Sequence, residues 1–420
     1  MNHFGFKFHL MQNKRKSRNR VNKPIMLLWM GHIISHAGDA IYQISLPWLI
    51  LELTGSKTLT SLVAVSVYLP AILFSLMAGV IGDRFDRRGV MIFSDGARML
   101  FVGLLVVYLL NGGTEPLIIG IIAFTVSTFG TLFYPARDAL IPSLVKPEQL
   151  TSTNAFISTS GQLAHLSGPV LAGALFAWVG LNHLFTIDAV SFSVSMICIA
   201  LISKKYITIR QEKEPTTHIH QLKEGLQFVR KKGALAGLLI LTAINNLFIM
   251  GPAMIGTPIF VREVLKLDFG AYAIIEAYMA GGMLVGSLFI WRFGKEISRS
   301  RLLFWGMVLD GLTYSLLYYI GNYEATKILL FIHGIGIPLI TVSRTTIIQN
   351  VVPDRLRSRV FSMVNMSVIG FTALSSGLVG PLAEVVPIST IFLVIGLGAA
   401  LCGVIGMSSR GMMKMEELAR

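Results

Sequence analysis

Residues 79–88 read Gly-Val-Ile-Gly-Asp-Arg-Phe-Asp-Arg-Arg and stand between two apolar runs, residues 59–81 and 89–111. At about 1.5 Å per residue, each run is long enough to cross a hydrocarbon core of about 30 Å. The charged stretch therefore reads as the tight turn of a helix pair, held at one face of a membrane. Lys and Arg alone suffice to orient such a turn. The interleaved Asp83 and Asp86 need another use. Asp83 can cap a neighbouring helix or pair with an Arg, and Gly79 and Gly82 let helices approach closely. Contacts of that kind hold in one conformation and break in another. Gly79, Gly82, Asp83, Arg84, Asp86, Arg87 and Arg88 are accordingly expected to form a conformational latch.

The rest of the chain agrees with a membrane setting. Of its 420 residues 53% are hydrophobic and 14% charged, whereas soluble domains carry about 25% charged residues. Such a chain cannot cover itself in water. Its apolar runs are continuous rather than alternating, which disfavours a β-barrel. Spans are expected at 25–51, 59–81, 89–111, 116–137, 152–179, 183–203, 235–261, 270–291, 301–320, 325–350, 358–383 and 388–409. The first 24 residues hold seven Lys/Arg and no acid. The apolar run behind them is too long for a signal-peptide core.

With the N-terminus inside, inner segments carry 30 of the 36 Lys/Arg, and the outer loops carry only Lys57, Arg262, Lys266 and Lys327. That bias predicts twelve helices with both termini cytosolic, and it argues against a basic face for nucleic acid. Cys198 and Cys402 both lie in apolar runs, so no disulfide framework is implied. Trp29, Trp48, Trp178, Trp291 and Trp305 lie near span ends and are expected to form an interfacial belt.

A polar stretch, 204–234, divides the chain and is expected to end in an amphipathic helix. The expected organisation is a basic cytosolic N-terminus (1–24), a six-helix bundle (25–203), a cytosolic linker (204–234), a second bundle (235–409) and a cytosolic tail (410–420). The halves repeat weakly. Pro47 recurs at Pro258, Arg84-Phe85 at Arg292-Phe293, Pro147 at Pro353, and Gly168-Pro169 at Gly380-Pro381, with offsets of 206 to 212 residues. Matches in the same order at nearly one offset imply two pseudo-symmetric bundles about a central cavity near the midplane.

The Gly79 to Arg88 run resembles the loop 2–3 signature of the major facilitator superfamily, departing at Asp86, where the general pattern has Gly. The Phe85-Asp86-Arg87-Arg88 variant is similar to the macrolide-efflux-like branch of the drug:proton antiporters. So are Tyr134-Pro135-Ala136-Arg137-Asp138-Ala139-Leu140-Ile141-Pro142-Ser143-Leu144-Val145 and Ile187-Asp188-Ala189-Val190-Ser191-Phe192. The resemblance implies an all-α polytopic protein of the major facilitator fold. It implies proton-coupled efflux of amphiphilic small molecules, by a monomer in a bacterial-type cell membrane. It also implies that Arg137 is the partner of Asp83. Gly161, Gly168, Pro169 and Gly173 offer a small-residue face and a bend, and they resemble the signature that marks exporters in this superfamily.

Ionisable groups inside a bilayer are costly and usually face a wet cavity. Asp39 is the first proton-coupling candidate, followed by Glu276 and Asp310. His36 and Gln43 share a face with Asp39, and Asn245 and Asn246 sit on the repeat counterpart of that span, so these four are the substrate-cavity candidates. Asp95 is expected to pair with Arg98 along its own helix, and Arg344 to snorkel. No phosphate-binding Gly-rich loop, His-Glu-x-x-His or Gly-x-Ser-x-Gly is present, and no metal-ligand cluster is apparent, so neither a cofactor nor a built-in ATP engine is expected. The competing readings are a lipid or lysolipid flippase on the same fold, an integral-membrane enzyme, and a nontransporting receptor.

Overall fold

A computed structural model describes residues 23–203, 218–294 and 296–415, and for residues 76, 79–84 and 218–223 the backbone alone. Twelve long helices follow one another: α1 (Lys23–Thr54), α2 (Lys57–Arg84), α3 (Arg87–Leu110), α4 (Pro116–Leu144), α5 (Leu150–Val179), α6 (Leu181–Ala200), α7 (Gly233–Glu263), α8 (Phe269–Phe293), α9 (Arg299–Leu316), α10 (Tyr323–Val351), α11 (Asp354–Val385) and α12 (Ile388–Ser408). Ten of them are long and apolar enough to cross a membrane within the described residues; the other two, α1 and α9, pack among them. A shorter linker helix, His218–Lys231, precedes α7.

The packing repeats. In the first half α1 packs on α5 and α6, α2 on α4, and α3 on α4 and α6. In the second half α7 packs on α11 and α12, α8 on α10, and α9 on α10 and α12. The halves meet through α2 against α11 and α5 against α8, and the same shift of six helices exchanges these two contacts. A pseudo-twofold axis therefore runs between two six-helix bundles, as two copies of one packing pattern require.

α7 is bent. It runs as α-helix over Gly233–Gly251, as π-helix over Pro252–Gly256, and as α-helix again over Thr257–Glu263. Pro252 has no N–H to donate, and a side chain inserts beside it. Ser375 Oγ of α11 accepts from Gly251 N–H at 2.8 Å and donates to Leu247 C=O at 2.6 Å, so it stands in place of the helical bond between them. A Cβ at position 251 would lie 2.4 Å from the Ser375 carbonyl oxygen, which leaves room for glycine only.

Trp178, Trp291 and Trp305 project outward, as an interfacial belt requires. Trp48 does not. It is 4% exposed and stacks on Tyr272 of α8 at 5.6 Å, donating its indole N–H to Glu52. The sequence placed it by depth alone, and the partner bundle covers it.

Candidate functional site

In keeping with the orientation expected from charge, the end of the molecule bearing the α1–α2 turn is called outer here and the opposite end inner. A cavity of about 790 Å³ lies between the bundles and opens at the inner end, lined by α1, α4 and α5 on one side and α8 and α10 on the other. On α1, His32 and His36 are one turn apart with ring centres at 5.1 Å, and His165 of α5 lies 6.1 Å from His36. Arg137 of α4 sets its Nη1 3.0 Å from His32 Nε2, and its Nε and Nη2 donate to Asp138 at 2.9 and 2.7 Å. Gly161 backs this cluster, because a Cβ there would come within 3.1 Å of His32 Nε2. His36 Nδ1 is buried with no protein partner among the described residues.

Gln43 is exposed although it sits in the middle of α1, because two recesses meet the main cavity beside it. One recess, bordered by α5 and α8, is lined by His165, Tyr272 and Glu276. Glu276 is 9% exposed, and no described side chain hydrogen-bonds to it. The other recess, bordered by α2 and α4, is lined by Asp39 and Arg98.

Asp39 and Arg98 form a direct ion pair. Arg98 also lies 3.6 Å from Asp95, one helical turn away, and its guanidinium covers the Phe192 ring at 3.9 Å. His36 and Gln43 face the main cavity, whereas Asp39 shares the side recess with Gln43 and is tied there to α3 through Arg98. The second bundle holds a different network. Asp310 accepts from Asn245 Nδ2 at 3.0 Å and lies 3.3 Å from His333 Nδ1, which is 3.0 Å from Thr313 Oγ1. Asn245 and Asp310 are therefore partners of each other inside the bundle and do not line the cavity as separate sites. Asn246 is 7% exposed and borders a second cleft.

Of the expected latch, the side chains of Gly79, Gly82, Asp83 and Arg84 lie outside the described residues. Asp86 caps α3, accepting from Arg88 N and Gly89 N at 3.3 and 3.2 Å. Arg87 donates to Ala139 C=O at 3.0 Å, and Arg88 to the carbonyls of Ile199 and Ala200 at the end of α6. Cations at a helix C-terminus are favourably placed. These three residues brace helices of their own bundle. Arg137 is directed at Asp138 and His32.

In α5, a Cβ at Gly168 would meet Ala40 of α1 at 2.4 Å, and one at Gly173 would meet Ala273 of α8 at 3.1 Å. Gly168 and Pro169 thus sit at the α1–α5 contact. Their repeat partner Gly380 instead lies against α2 of the other bundle, where a Cβ would stand 2.1 Å from the Lys57 carbonyl oxygen.

That contact belongs to a clamp at the outer end. Glu384 of α11 accepts from the backbone N–H groups of Lys57 and Thr58 at 2.9 and 3.1 Å and from Ser56 Oγ at 3.2 Å, so it caps the start of α2 from the opposite bundle. Lys57 Nζ donates to Ala383 C=O at 2.8 Å and pairs with Glu263 of α7 at 2.8 Å. Arg262 donates to the Leu51 carbonyl, and Gly380 N–H to Ser61 Oγ at 2.8 Å. The outer end is closed by charge and backbone together.

A cavity between two pseudo-symmetric six-helix bundles, clamped at one end and open at the other, defines a secondary transporter of the major facilitator type; it is not an enzyme. The family described as transmembrane secretion effector matches residues 21–419, and the chain belongs to that family. Macrolide efflux protein A of Streptococcus pyogenes is 25% identical over 342 residues, covering 80% of this chain and 83% of that protein. Multidrug efflux pump Tap of Mycobacterium tuberculosis is 25% identical over 400 residues, covering 92% and 94%. Among solved structures, nucleoside transporter NupG superposes with a TM-score of 0.73 at 12% identity, covering 92% of this chain and 98% of that one. A bacterial homologue of the iron transporter ferroportin in its inward-facing state gives 0.69 at 17% identity, covering 93% and 100%.

The sequence missed His32, the Asp39–Arg98 pair and the outer clamp. His32 carried a usable signal, since it lies four residues before His36 and so on the same face. The clamp carried none, because its partners are more than 200 residues apart and each reads as an ordinary boundary residue.

Proposed function

We propose that the protein is a proton-coupled exporter of amphiphilic small molecules, working by alternating access as a monomer in the cell membrane with both termini cytosolic. The observation that carries this reading is the cavity itself: closed outward by the Glu384–Lys57–Glu263 clamp, open inward, and leading to a recess with the carboxyl of Glu276, which has no hydrogen-bond partner among the described residues. In this state cytosolic cargo enters between the bundles. The printed names of the relatives, a macrolide efflux protein and a multidrug efflux pump, agree with outward movement of drug-like cargo.

Glu276 and Asp39 are the coupling groups in this reading. Glu276 faces the deep recess, where a proton arriving from outside is delivered once the clamp opens. Asp39 exchanges its ion pair with Arg98 for a proton. Asp310 has a secondary place, inside the second bundle. Asp83 and Arg137 are the latch pair of this reading. Export of a panel of amphiphiles from inverted vesicles, with and without a proton gradient, tests the proposal. Wild-type protein is expected to need the gradient, and Glu276→Gln to lose that dependence while still binding cargo. Gradient-independent movement by the wild-type protein would sink proton coupling.

A further inference from the structure

The inward cavity has a counterpart in the second bundle. A cleft of about 300 Å³ lies between α7 and α11 under the linker helix, with Arg230 of that helix and Arg344 of α10 in its lining. The two clefts are related by the internal repeat. The α5 residues lining the first are Ile157, Ser158, Gly161, Gln162 and His165, besides Asn154 nearer the inner end and Leu166. Moving each of the first five by 206 residues, the offset of Pro147 and Pro353, gives Met363, Val364, Ser367, Val368 and Phe371, and every one of these lines the second cleft. Arg137 and Arg344 correspond in the same way, 207 residues apart. α10 borders both clefts, with Thr341 and Val342 on the first and Arg344 on the second.

Their chemistry has diverged. Ser158 has become Val364, Gln162 has become Val368 and His165 has become Phe371. The first cleft adds His32, His36 and the Arg137 fork from α1 and α4; the second adds Leu239, Ile240 and Ile244 from α7. The first cleft is the richer in N–H donors, whereas the second, although Arg230, Thr242, Asn246, Arg344 and Ser367 border it, presents mostly hydrocarbon. A guanidinium fork with neighbouring imidazoles suits an oxygen-rich anion, while the apolar cleft gains by covering an alkyl or ring system.

We propose that the duplicated cleft has split into a head-group site in the first bundle and a tail site in the second, so that the cargo is an amphiphile with an anionic, oxygen-rich head. This rests on the transport reading above and specifies its substrate class. The head enters beside Arg137, displacing the exposed Asp138 carboxylate from the fork, and the tail lies along Val364, Val368 and Phe371. Arg344 stays at the rim, its stem along the cleft wall.

The test uses the full chain in nanodiscs and three fluorescent probes with a common tail: naphthyl-tagged dodecanoic acid, its primary amide, and naphthyl-tagged dodecyltrimethylammonium. The acid is expected to bind about tenfold tighter than the ammonium probe. Arg137→Gln should bring the acid to the affinity of the amide, and Gln162→Leu, which spares the charge network, should weaken the acid and the amide alike. Val368→Gln should weaken all three probes. Ammonium binding equal to that of the acid, or loss of acid preference in Arg344→Gln with Arg137→Gln unchanged, overturns the assignment. Binding requires no gradient. Correct head and tail preferences without export from vesicles would therefore reject the exporter reading and leave the cleft assignment standing.

Discussion

The two bundles bury carboxylates in opposite ways. In the first, Asp39 and Asp95 converge on Arg98, with Asp188 fully buried on α6 nearby. In the second, Asp310 is held by Asn245 and His333 and by no Arg or Lys among the described residues. A permanent cation makes the first network an ionic one, costly to assemble and more costly to break. Neutral partners make the second a hydrogen-bonded one, whose members can be exchanged singly. The comparison separates two kinds of link: Asp39 ties α1 to α3 through an ion pair with Arg98, whereas Asp310 ties α9 to α7 and α10 through Asn245 and His333.

The largest effect should come from Arg98→Met. It strands Asp39 and Asp95 in the interior, and removing one partner of a buried pair costs about 3–5 kcal/mol. Thermal unfolding of the purified protein in detergent measures it; a loss no greater than that of Asp310→Asn erases the distinction between the networks. Asp310→Asn keeps an acceptor for Asn245 and should cost about 1–2 kcal/mol. Thr313→Val removes one hydroxyl beside His333 and should cost about 1 kcal/mol or less. Asp39→Asn sharpens the contrast from the functional side, since export should lose its response to the proton gradient while Asp310→Asn keeps it. Equal pH profiles for the two variants would show that neither network carries the proton. Smallest of all, Glu384→Gln keeps an acceptor for the α2 amides but loses its charge. It should shift the balance away from the inward-open state by about 0.5–1 kcal/mol, read as spin-label distances across the outer end.

The fold was legible because its signal is redundant: apolar runs of membrane length, a cationic bias on alternate loops and an internal repeat all point to the same architecture. The site was legible only along single helices. His36 and Gln43 were found because helical spacing sets them on one face. Asp39 sits on a similar face, yet its partner is set by how α3 is rotated against α1, and apolar helices carry little pattern to fix rotation. Asn245 and Asp310 were each noticed, but their bond spans 65 residues and two helices. The Gly-Pro repeat was real in sequence and uneven in space. Gly168 lies deep in α5 against its own bundle, while Gly380 lies near the end of α11 against the other.

The trans cap on α2 makes the surrounding water a participant in the cycle. When the outer end opens, the first amides of α2 lose Glu384, and Lys57 loses Glu263. Solvent and dissolved ions must then satisfy a bare helix end and two separated carboxylates. In the proposed cycle the resting orientation should therefore respond to the ionic medium at the outer end, with multivalent cations bound at the freed carboxylates holding it open.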